Sequence, residues 1–221
     1  MNQAMWNLIL QSTGETLIMV LFSTLFSLVL GFPLGVLLCV SRPELQGGLI
    51  PRPVLYSVLD KIVNVLRSFP FIILMVVLFP LSRVLVGTTI GTKATIVPLS
   101  IAAAPFVARV IESSLKEVDS GVVQAARSMG STNGQIIFKV LIPEAMPSLV
   151  ADVTLTIINL IGYSAMAGAI GGGGLGDLAI RYGYQRSRTD VLIVAVLVIL
   201  VLVELIQFIG NKISAAIASK R

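Results

Sequence analysis

The sequence contains no histidine. Ser-His nucleophiles, histidine acid–base catalysis and His-ligated metal or haem sites are therefore excluded within this chain. Cysteine is nearly absent too. A single residue, Cys39, rules out an intrachain disulfide and a cysteine metal cluster. It lies in an apolar run and reads as a small hydrophobe. The third scarcity is charge: only 12% of the 221 residues are Asp, Glu, Lys or Arg, against about 25% in an average soluble domain. Sixteen basic and eleven acidic side chains cannot clothe a globule of this size in water. Hydrophobic residues make up 56%, which excludes disorder, since disordered chains are poor in apolar side chains. The bilayer is the solvent that fits this composition. The net charge of +5 then reads as cytoplasmic loop residues, and no nucleic-acid partner is expected.

What is abundant is uncharged apolar sequence. Residues 16–41 carry no charge over 26 positions, more than the ~20 that cross roughly 30 Å of hydrocarbon. Residues 153–176 give a window of 24, and 191–211 one of 21 interrupted only by Glu204. Windows 68–82 and 94–108 hold 15 residues each and reach spanning length only by taking in Arg67 or Arg109. The expected fold is all-α: a polytopic membrane protein with five helices near 15–40, 55–80, 90–115, 146–171 and 190–212, in one transmembrane domain over 1–221. No Lys or Arg precedes Arg42, and the first apolar stretch exceeds a signal peptide's, so it is read as a retained span.

Five spans place the termini on opposite sides. With the N-terminus outside, the inner segments hold Arg42, Arg52, Lys61, Arg109, Lys116, Arg127, Lys139, Lys212, Lys220 and Arg221. The outer loops hold Arg83, Lys93, Arg181, Arg186 and Arg188. With Arg67 set aside, that bias predicts the N-terminus outside and the C-terminus in the cytoplasm.

The connection at about 117–143 then faces the cytoplasm. Asp119 or Ser120 can cap a first short helix, Ala125 and Ala126 favour it, and Gly130 suits its C′ stop. Thr132 and Gln135 have capping-box spacing for a second helix, expected to run to Pro143. A short helix with adjacent alanines between two spans has little side-chain bulk, so a partner's cleft can grip it closely. An ordinary amphipathic loop helix is the alternative.

Gln124-Ala125-Ala126, then Gly130, then Val140-x-Ile142-Pro143 resembles the cytoplasmic EAA loop of ABC-importer permeases. That pattern is Glu-Ala-Ala, a Gly four residues after the second Ala, then Ile-x-Leu-Pro. Val140 and Ile142 keep size and apolarity, whereas Gln124 replaces a charge with an amide. The segments 64–74, 96–109 and 162–184 resemble the bacterial methionine-uptake permeases, a likeness that covers nearly the whole chain.

The resemblance implies a type I ABC-importer permease fold and a homodimeric subunit in the inner membrane, working by alternating access. Gln124, Ala125, Ala126, Gly130 and Pro143 would then dock on two ABC ATPase subunits at the cytoplasmic face. ATP and Mg would belong to those partners, and an external methionine-binding lipoprotein would deliver the solute. This chain itself would carry no cofactor, metal or catalytic residue and would not be an enzyme. Tyr163, Ser164 and Met166, which precede the glycine tract, are the residues expected along the translocation path or gate.

Other features stay open at this level. Arg67, beside Pro70, reads as a cation snorkelling to the cytoplasmic interface, with an intramembrane functional site as the alternative. Arg109 and Glu112, spaced i, i+3, can neutralise each other. Glu204 either hydrogen-bonds within a dimer or approaches the inner headgroups. Gly171–Gly174 permits chain reversal or a broken helix, and Gly31/Gly35, Gly87/Gly91 and Gly168/Gly172 are small-x-x-x-small pairs. Rival functions are a permease for another small polar solute such as an osmoprotectant or phosphonate, a passive channel, and an intramembrane enzyme.

Overall fold

The computed structural model describes residues 3–219; Lys220 and Arg221, counted above among the inner cations, lie outside the described residues. Among the described residues every regular element is helical. Helix α1 (Gln3–Ser41) starts well before the expected position 15. Polar residues there continue the helix, with Gln11 Nε2 donating to Glu15 Oε1 one turn on, at 3.0 Å. The helix stops before Pro43, which disfavours helical geometry at the residue preceding it. A 3₁₀ turn (Glu44–Gln46) and Gly47 follow, and Arg52 N–H returns to Ser41 O at 3.0 Å.

The single helix expected near 55–80 is two helices, α2 (Pro53–Ser68) and α3 (Phe71–Val86), bent by 104° at their junction. The cause is Pro70, which lacks the N–H that would continue the ladder and clashes with the carbonyl four residues back. It also drives Phe69 into the extended region, at φ −70°, ψ 134°. By length and composition four helices can cross a membrane alone, and α2 with α3 makes a fifth if the bent pair counts as one.

Helix α4 (Thr92–Lys116) lies along α1 in the tightest pairing of the fold. A Cβ on Gly31 would stand 2.6 Å from Ala104 O and 2.7 Å from Val107 Cβ. One on Gly35 would meet Ala108 O at 2.6 Å and Ile111 Cβ at 2.8 Å. The Gly31/Gly35 pair is therefore where the two backbones meet, a contact only hydrogen side chains permit. Val107 and Ile111 are fully buried against it.

The chain continues through α5 (Ser120–Ser128), α6 (Asn133–Ile136), a π turn (Ile137–Leu141) and α7 (Ile142–Gly168). The second loop helix does not end at Pro143, as expected, but runs on into α7. The wide turn explains this: Ile142 N–H reaches back five residues to Ile137 O, which opens space for the proline ring in α7's first turn. At the far end the glycine tract reverses the chain into α8 (Gly174–Asp177) and a π stretch (Leu178–Tyr184), packed back against α7. There α1 supplies acceptors, with Gly174 N–H donating to Glu15 Oε2 at 2.8 Å and Leu175 N–H to Thr16 Oγ1 at 2.9 Å. Helix α9 (Thr189–Ala218) closes the fold and leaves Leu197, Leu200, Val201, Leu205 and Phe208 more than half exposed.

Replacing Gly35 with Val should overpack the α1–α4 seam and cost about 1–3 kcal/mol. Gly134→Ala, whose Cβ meets nothing within 4 Å, is the matched control. Thermal unfolding of the purified protein should show a lowered midpoint for the first variant alone.

Candidate functional site

The 117–143 loop is specified locally at every joint. Asp119 Oδ1 accepts from Gly121 N–H at 2.7 Å and caps α5. At the other end Gly130 takes φ +80°. Its N–H bonds Arg127 O at 2.9 Å and Ser131 N–H bonds Ala126 O at 3.1 Å, the paired bonds of a Schellman stop. Thr132 and Gln135 form the anticipated capping box.

What the loop presents differs from the expected residue set. Gln124, Ala125, Gly130 and Pro143 are exposed. Ala126 is 3% exposed and packs in the core with Leu49, Leu115, Ile136 and Leu141. The two alanines thus part ways, Ala125 on the exposed surface and Ala126 turned into the subunit. Three residues that sequence reasoning missed complete the outer surface: Val122, Met129 and Phe138, the last two 80% and 71% exposed. Val122, Ala125 and Met129 share one helical face by their i, i+3, i+7 spacing. The available signal was large apolar side chains in a segment already assigned to water. Arg127 is not part of that surface; its Nη2 donates to Leu49 O at 2.8 Å and pins α5 to the connection between α1 and α2.

A charged cluster joins α2 to α4. Glu112 is fully buried and accepts from Arg109 at 2.6 Å and Lys116 at 2.5 Å, with Tyr56 OH donating at 3.3 Å. Arg109 also reaches Asp60 Oδ1 at 2.6 Å and Asn64 Oδ1 at 3.0 Å. The Arg109–Glu112 pair expected on one helix is therefore the centre of a junction between two. Nearby, Ser114 donates to Asp152 and Ser148 to Glu117, tying α4 to α7.

The three path residues separate. The Tyr163 ring stacks on Phe71 of α3, centroids 4.5 Å apart and planes within 8°. Met166 is 47% exposed and available to a neighbouring surface. Ser164 is buried, its Oγ donating to Ile161 O at 2.7 Å, so it faces its own helix. Arg67 borders a small cavity with Phe69, Phe71 and Tyr163. Glu204 is exposed on α9.

Apolar spans joined by a capped two-helix loop with an outward apolar face define a multi-span membrane protein. The chain belongs to the family of inner-membrane components of binding-protein-dependent transport systems, whose model matches residues 31–218. It is 50% identical to the probable D-methionine transport system permease protein MetI of Vibrio cholerae, over 94% of this chain and 91% of that protein. It is 46% identical to the protein of the same name from Pasteurella multocida, over 97% of each. A chain of the inward-facing MetNI methionine ABC transporter, in its native crystal form, superposes with a TM-score of 0.95 at 47% identity, covering 98% of this chain and 99% of that one. The family marks a transport component of the inner membrane rather than an enzyme.

Glu112→Ala would strand Arg109 and Lys116 beside a buried gap, a change that costs about 3–5 kcal/mol when one partner of a buried pair is removed. Asp60→Asn, at the more exposed edge of the cluster, should cost less than half of that. Chemical denaturation of the two purified variants should rank them in that order.

Proposed function

We propose that this chain is the transmembrane subunit of an ATP-driven importer that carries methionine across the bacterial inner membrane. It works as a homodimer of one transmembrane domain per chain, N-terminus outside and C-terminus cytoplasmic. Two ABC ATPase subunits, which hold ATP and Mg, dock at the cytoplasmic loop, and an external methionine-binding lipoprotein delivers solute from outside. The relatives' names support the substrate, and the bias of basic residues toward one side supports the orientation.

The observation that carries the mechanism is the way the loop is joined to the spans. Toward α1 and α2 it is held by Arg127 on Leu49 O. Toward α7 it continues through the π turn without a break. A push on Val122, Ala125 and Met129 is therefore delivered to spans as a rigid displacement instead of being absorbed by a flexible linker. When the ATPase pair closes on ATP, the two loops are drawn together and the spans rock open outward. Hydrolysis resets the inward-facing state. Gln124 contributes a hydrogen bond where the family loop has a carboxylate. Tyr163 and Met166 border the path, and the apolar face of α9 meets lipid.

Cells lacking methionine uptake, given this chain with its ATPase and lipoprotein, should accumulate labelled methionine only while energised. A properly assembled complex that accumulates none would remove the substrate assignment. Met129→Asp places a charge on the docking face, and Gly130→Val strains the φ +80° stop. Each should cut ATPase co-purification about 10-fold, corresponding to ~1.4 kcal/mol of lost interface energy. Unchanged recovery with unchanged uptake would remove the docking assignment.

A further inference from the structure

Arg67 closes α2, two residues before the 104° bend. Among the described residues no carboxylate or hydrogen-bond acceptor pairs with it. The contrast with Arg109, which two carboxylates hold, is informative. The Arg67 side chain is exposed, so its guanidinium is open to whatever occupies the cavity beside it, and an ionisable residue in a membrane-spanning segment is a functional-site candidate.

The cavity it borders has a volume of about 130 Å³. A single water needs only about 10–15 Å³ of such space, so the cavity has room for a small zwitterion. Its walls are aromatic: Phe69 and Phe71 from the bend, Phe106 from α4 and Tyr163 from α7. It also reaches Ala102, which stands fourteen residues before Lys116 at the cytoplasmic end of α4, about 21 Å by helical rise. A side chain snorkelling to the inner headgroups would not share a cavity with that level of the bundle. The bend adds an acceptor at the same place, because Pro70 offers no N–H to the Leu66 carbonyl, and Leu66 lines the cavity.

Resting on the reading of this chain as an amino-acid permease, we propose that this cavity is a transient substrate subsite inside the membrane. It takes an α-amino acid with a compact, polarizable side chain. Arg67 receives the carboxylate. The ammonium group meets the Leu66 carbonyl and the aromatic faces. The thioether lies among the Phe and Tyr rings, which sulfur contacts favourably. Because the floor of the subsite is the junction of α2 and α3, and Tyr163 belongs to α7, relative motion of these helices in the transport cycle opens and closes it.

The test uses the assembled complex in proteoliposomes with ATP and the binding lipoprotein. The probe is L-photo-methionine, a diazirine amino acid, and labelled peptides are mapped by mass spectrometry. Label is expected in the peptides holding residues 66–71 or 102–106. Excess methionine should suppress it and excess methioninamide, which lacks the carboxylate, should not. Arg67→Gln should lower the label about 10-fold, the usual worth of a charged hydrogen bond, with Arg67→Lys retaining more. Phe71→Leu should lower it by a smaller factor. Label that lies elsewhere, or that methioninamide suppresses as well as methionine does, overturns the subsite while transport stands. So does label unchanged in Arg67→Gln. Should Arg67→Gln fail to assemble, the methioninamide comparison on the wild type and the Phe71→Leu variant decide the matter. A wild-type complex that imports no methionine brings down both the transport reading and the subsite.

Discussion

In hydrocarbon no water is present to pair a peptide group, and each one left unpaired costs several kcal/mol. A chain that must bend inside the membrane therefore has to find an internal partner at every bend. At the glycine tract, Glu15 and Thr16 reach from α1 to accept from the first amides of α8, and Gly91 N–H bonds Gly171 O at 2.9 Å. At the loop-to-span joint the ladder is kept by lengthening one turn, not by interrupting it. Polar residues of α1 are spent on such repairs. This accounts for α1 extending far past what a simple crossing needs: its first turns complete the return segment on the other side of the bundle.

The same requirement shapes how the helices meet one another. Where α1 and α4 touch through Gly31 and Gly35, backbone lies on backbone with no side chain to rearrange. Helix α2 meets α1 and α4 by a polar cluster centred on a fully buried carboxylate beside a small apolar core of Leu38, Val63 and Ala108. Helix α7 carries the loop at one end and the glycine return at the other. It thus joins the two in one continuous element, packed against both α1 and α4.

Much of this was legible in the residues. Charge-free windows located the spans, the caps of α5 and α6 fell where Asp119, Gly130, Thr132 and Gln135 put them, and Gly31/Gly35 marked a close contact. What escaped had a physical reason in each case. Proline was ambiguous: Pro33, Pro80, Pro98 and Pro105 lie within continuous helices, the first two exposed and the last two buried, while Pro70 ends one. A proline alone therefore does not say whether its helix stops. Asp60 and Asn64 lie 49 and 45 residues from Arg109, so nothing along the chain announced their meeting. The duties of Ala125 and Ala126, and the inward turn of Ser164, depend on helix rotation. Spacing fixes which residues share a face, but only the neighbours decide where that face points.

The π turn between α6 and α7 has one more consequence. One extra residue in a helical turn rotates everything on one side relative to the other by about 100°. The loop's outward face and the inward face of α7 therefore sit on one continuous rod with an index step between them. The direction in which the loop's apolar face points and the direction in which α7 points Tyr163 are two separate settings. One can be re-aimed over evolutionary time, by restoring or widening a single turn, without rewriting the loop's outward apolar surface or the face of α7 that carries Tyr163.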